Sequence, residues 1–140
     1  MLTLSILASA ALASAPIKEA PVARQDDPHR TIILFGARWC APCMLEYREL
    51  PEFVRAAAPD RISLAWIDRS ILPPPHTDVA VHSLSSDDAR RLARKIGGEG
   101  YGLPLSAMVN ANGQLCAVWH RRLLDQDLGA MRARCDIPKR

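Results

Sequence analysis

An apolar run, Thr31-Ile32-Ile33-Leu34-Phe35, ends just ahead of Trp39-Cys40-Ala41-Pro42-Cys43, which leads directly into a helical pattern. A short unbroken apolar stretch, with no polar alternation, suits a strand that is covered on both faces. A cysteine pair at the junction with a helix then occupies a defined electrostatic position. The first cysteine falls at the helix N-terminus, where unpaired backbone N–H groups and the helix dipole favour a thiolate. The second lies one turn on, close enough to close a small disulfide ring. This arrangement is that of a dithiol redox centre.

The rest of the chain alternates strands and helices. Leu50, Phe53, Val54 and Ala57 fall at i, i+3, i+4 and i+7, an apolar stripe for a sheet. Pro51 lies inside that helix and is expected to kink it, and Pro59-Asp60 ends it. Ile62 to Ile67 is the next strand, with Ile62, Leu64 and Trp66 on one face. Strand, helix, strand implies a parallel pair joined by a crossover. Asp68 to Ser85 is loop-like, contains Pro73-Pro74-Pro75, and includes Val79-Ala80-Val81 as a candidate extra strand. Ser86 is the expected cap of a second helix, whose stripe is Ala89, Leu92, Ala93 and Ile96 and which stops at Gly97-Gly98. Leu105 to Val109 and Gln114 to Trp119 flank an Asn112-Gly113 step, a hairpin signal. Leu124, Leu128, Met131 and Cys135 mark a last helix.

With 140 residues and 49% apolar content, the chain fits one domain with a real core. The net charge of +3 is mild, and Lys and Arg are scattered, so no nucleic-acid footprint is read. Residues 1–15 carry no charged side chain, and small residues recur at Ala11, Ala13 and Ala15. The expectation is a secretory signal peptide, cut after Ala13, although the usual basic residue near the start is missing. It is too short for a stable membrane anchor. Residues 16–29 read as a linker and residues 30–140 as the domain.

The Trp-Cys-x-Pro-Cys motif, in this order of elements, resembles the thioredoxin superfamily. Gly102-Leu103-Pro104 stands just ahead of the hairpin, where such proteins carry a cis-proline facing the active cysteines. The resemblance implies a thioredoxin-like α/β fold, a central mixed sheet of about four strands flanked by helices. The export signal and the glutamate-bearing helix after the dithiol are similar to the TlpA/ResA-type thiol–disulfide oxidoreductases of bacterial envelopes. That branch carries a glutamate three residues after the second cysteine, the spacing of Glu46; Glu49-Leu50-Pro51 is a similar pattern one turn on. Three departures stand out. Leu34 replaces the aspartate that cytoplasmic thioredoxins hold six residues before the first cysteine. Leu105 replaces the common threonine after the proline. The segment between dithiol and Pro104 is short for the family's usual insertion.

From the residues, Cys40 is the nucleophile, with Arg38 nearby, and Cys43 is the resolving cysteine. An inert disulfide or half of a metal site are the competing readings, and zinc would want a second pair of like spacing, which Cys116 and Cys135 do not form. Trp39 serves either docking or core filling. Pro42 sits in the first helical turn, where its missing N–H costs little. Leu103, next to Pro104, would offer its backbone to an extended substrate if the bond between them is cis, and Pro104 is otherwise an ordinary trans-proline. Glu46 either relays a proton for Cys43 or is an exposed helix glutamate. Cys116 and Cys135 form either a structural disulfide or two separate buried thiols. The expected function is a reductase of protein disulfides, periplasmic or otherwise exported, monomeric, without bound cofactor or metal, re-reduced by a membrane thiol donor. The alternatives are a non-catalytic binding module with a permanent disulfide, or a metallochaperone.

Overall fold

Side chains of strand β1 (Thr31–Gly36) point alternately into two apolar layers, and both layers are closed over. In the computed structural model, which describes residues 29–69, 72, 76–77 and 80–136, Ile32 and Leu34 face one layer while Ile33 and Phe35 face the other. The expected signal peptide, nearly all of the linker, the proline triplet and Val79 lie outside the described residues. Complete burial of a side chain such as Ile32 or Phe35 contributes about 1.5–3 kcal/mol.

β1 is the middle strand of a mixed sheet. It pairs in parallel with β2 (Arg61–Trp66), Thr31 opposite Arg61 and Gly36 opposite Trp66. On its other side it pairs antiparallel with β4 (Leu105–Val109), which continues into β5 (Leu115–Trp119). The strand order is β3-β2-β1-β4-β5. The sheet therefore has five strands rather than about four. The additional one, β3 (His82–Ser83), pairs with β2 at Ser63 and Leu64, and it lies just after Val79-Ala80-Val81 rather than on it. Both of its residues are exposed, so no apolar pattern marks it.

Helix α1 (Ala41–Ala57) lays Leu50, Phe53, Val54 and Ala57 on one face of the sheet, the expected stripe, and runs on through Pro51. Helix α2 (Ser86–Gly97) covers the opposite face with Ala89 and Ala93. Its cap is Ser85 rather than Ser86. The Ser85 hydroxyl accepts the Asp88 N–H at 3.2 Å and donates to the Asp88 carboxylate at 2.6 Å, a reciprocal pair that Ser86 does not make. Gly98, at φ +85°, ends α2. The hairpin turn is closed by the Asn110 side chain, which accepts the N–H groups of Asn112 and Gln114, with Gly113 at φ +74°.

After β5 the chain makes a 3-10 turn (Asp125–Asp127) before helix α3 (Leu128–Cys135), so Leu124 precedes the helix instead of belonging to it. The Asp127 carboxylate accepts the Leu124 N–H at 3.0 Å and is gripped by Arg121, which fixes the break there. Leu128 and Met131 join the α1 layer. Cys135 is disulfide-bonded to Cys116 on β5, with Cα atoms 4.9 Å apart. At the sheet end away from Cys40 and Cys43, buried Asp60 accepts from Arg30 Nε at 3.0 Å and Arg132 Nε at 2.7 Å, joining the starts of β1 and β2 to α3.

Candidate active site

Cys40 is the residue just before α1, in an extended conformation, and its sulfur accepts the Cys43 backbone N–H at 3.3 Å. The first turn of α1 contains no acidic side chain, so nothing there opposes negative charge on that sulfur. Pro42 occupies the first turn, where it forfeits no intrahelical bond. The Cys40 backbone N–H donates to Ala37 O at 3.0 Å and its carbonyl accepts from Met44 N–H at 3.0 Å, so the loop from β1 delivers the sulfur in a fixed orientation. Cys40 and Cys43 form a disulfide with Cα atoms 5.3 Å apart. Cys40 retains 5% of its surface and Cys43 only 1%, so an incoming thiol or disulfide meets Cys40 first.

Around the pair, Leu103, Trp66 and Ile67 pack on the cluster of Ala37, Cys40 and Cys43. The Leu103–Pro104 peptide is cis. Trp39 is 71% exposed, so it belongs to the surface beside the sulfurs and not to the core. Arg38 is tied down through its backbone N–H to Asp68 Oδ2 at 2.8 Å, with its side chain exposed.

Trp66 is a neighbour the sequence did not single out. It stands opposite Gly36 in the sheet, and a Cβ on Gly36 would lie 1.2 Å from a carbon of the indole ring. The ring therefore lies over the glycine, 5.9 Å from the ring of Tyr47 on α1. A glycine at the end of one strand facing a tryptophan at the end of the next was the available signal.

Glu46 sits one turn beyond Cys43 on α1 and is partly buried, with Oε1 accepting the Leu123 N–H at 2.6 Å. Burial pushes its carboxyl up to about 7; the Leu123 amide and the Arg122 guanidinium pull it down, and Glu49 pushes it up. Glu49 itself is paired with Arg122. Among the described residues, no group of three or more His, Cys, Asp or Glu side chains is placed to hold a metal ion, and no helix is long and apolar enough to cross a membrane.

No protein-family model and no curated sequence matches the chain. Solved structures do. The thioredoxin-related protein from Neisseria meningitidis serogroup B aligns over 84% of this chain and 93% of its own, at 16% identity and a TM-score of 0.59. The thiol:disulfide interchange protein of the thioredoxin family from Chlorobium tepidum TLS aligns over 77% of this chain and 80% of its own, at 20% identity and 0.55. This is a thioredoxin-like fold. StoA from Bacillus subtilis shares it, over 76% of this chain and 84% of its own, at 15% identity and 0.53. Leu34 of β1 and Glu46 of α1 line one pocket. The Glu46 carboxyl borders that pocket from the helix.

Proposed function

We propose that the chain is an exported thiol–disulfide oxidoreductase that reduces disulfides in protein substrates. One observation carries the reading: the more exposed sulfur, Cys40, sits at the start of α1 under the Cys43 amide, in an apolar cluster on which Leu103 of the cis Leu103–Pro104 peptide packs. In the reduced protein the Cys40 thiolate attacks one sulfur of the substrate disulfide. That bond breaks, a mixed disulfide forms, and the other substrate sulfur leaves and takes up a proton. Cys43 then gives its proton to Glu46 and attacks the Cys40 sulfur; the bond to the substrate breaks, the second substrate sulfur leaves and takes up a proton from water, and Glu46 returns the Cys43 proton to solvent. The substrate has gained two electrons and two protons, and the protein holds the Cys40–Cys43 disulfide. A thiol donor at the membrane would return the two electrons.

The exposed Trp39 and the Leu103 backbone would receive an extended substrate segment as an added strand. A Cys116–Cys135 disulfide fits an oxidising compartment, as does the apolar stretch at residues 1–15. Insulin reduction and client capture test the reading. Cys40→Ser should fall to background, and Cys43→Ser should accumulate mixed disulfides through Cys40 that wild type resolves. Undiminished reduction by Cys40→Ser, or no adduct on Cys43→Ser, would overturn it.

A further inference from the structure

The segment that follows β5 folds back onto α1 at two points, at Glu46 and at Glu49. The Leu123 N–H donates to Glu46 Oε1 at 2.6 Å, and the side chain of the preceding residue, Arg122, reaches Glu49, one helical turn beyond Glu46. The Arg122 side chain is largely covered and its Nε is buried without a hydrogen bond among the described residues, so this guanidinium lies against the protein rather than extended into solvent. The charged groups that act on Glu46 are Glu49 from α1 and Arg122 from the returning segment, while Glu52 and Asp125 line the same pocket as Glu46.

We infer that Arg122 is a positioning residue for the dithiol: standing between Glu49 and the Leu123 amide that meets Glu46, it sets by its charge how readily that carboxyl accepts the Cys43 proton. The inference rests on the proton role proposed above for Glu46. Arg122 acts in two ways that reinforce each other. Its charge favours the ionised carboxylate directly, and it neutralises Glu49, whose charge would disfavour it. Glu46 is thereby kept able to take a proton near neutrality despite its burial. When it has taken one, the pocket that Glu46, Glu49, Glu52 and Leu123 share gives that proton a way out to solvent.

The test is a carboxyl titration of Glu46 by carbon NMR in the oxidised protein, in wild type, Arg122→Gln, Arg122→Lys and Glu49→Gln. Arg122→Gln should raise the midpoint by roughly 0.5 pH unit, the size expected of a partly exposed ion pair. Glu49→Gln should lower it, and Arg122→Lys should lie between wild type and Arg122→Gln. Movement in opposite directions is the signature, because loosening the fold would move both variants the same way. Unchanged midpoints, or shifts of one sign in both, would overturn the inference. The pH profile of insulin reduction should follow the same order. The titration uses no substrate, so the two readings fail separately. Opposed shifts in a protein whose dithiol never turns over would overturn the proposed activity, and a flat titration in an active protein would overturn the role of Arg122.

Discussion

Replacing Glu46 by Gln should stabilise the oxidised protein at alkaline pH and leave it unchanged in acid. Unfolded, the carboxyl titrates near 4.5; in the fold, burial holds it near 7. Between those values the folded state binds more protons than the unfolded state, so stability falls as pH rises. Below 4.5 both states are protonated and no difference remains. Each pH unit between the two values corresponds to about 1.36 kcal/mol, hence about 3.4 kcal/mol for the whole interval. The carboxyl borders an open pocket, and solvent there reduces the effect. We expect about 2 kcal/mol. Glutamine cannot ionise, yet its carbonyl can still accept the Leu123 N–H. Urea denaturation followed by tryptophan fluorescence, at intervals from pH 4 to 8 and without reductant, measures the difference. The two proteins should coincide at pH 4 and separate progressively, Glu46→Gln being the more stable at pH 8. Parallel curves across the range would refute the reasoning, since they would mean that Glu46 ionises like a solvated glutamate. A variant less stable at pH 8 would show that the Leu123 hydrogen bond to the charged carboxylate outweighs its desolvation.

Gly36→Ala should destabilise the protein by about 1–3 kcal/mol, because a Cβ 1.2 Å from the Trp66 ring forces the indole out of its seat; a shift in tryptophan emission alongside the lowered urea midpoint checks it. Removing the second disulfide with Cys116→Ser and Cys135→Ser together should cost about 3 kcal/mol, given the short loop it closes. Amide exchange should then accelerate first in α3.

The dithiol and its placement were readable because each signal is local. The apolar run of β1, the motif behind it and the stripe of α1 lie within thirty residues of chain, and each uses a period that sterics impose. The limits of β4 coincide with the expected ones for the same reason. What stayed hidden depends on partners distant in sequence or on short contacts with no side-chain pattern. The burial of Glu46 is made by an amide 77 residues further on, so its own helix could not reveal it. β3 is two exposed residues joined to an edge, which leaves periodicity nothing to register. Two adjacent serines compete for the cap of α2, and the decision rests on which hydroxyl reaches Asp88. The start of α3 was displaced by Asp127, whose tie to Arg121 and Leu124 ends one local structure before the next begins. Trp66 read as one more apolar strand residue; only the register opposite Gly36 shows that it fills the space behind the sulfurs.

Because β1 has a hydrogen-bonded neighbour on each side and a helix over each face, the short loop that presents Cys40 leaves from the most enclosed strand of the framework. Rewriting a peripheral loop or the outermost strand leaves that enclosure untouched. Such a layout asks little of the surrounding sequence, and frames of this kind are alike at 15–20% identity.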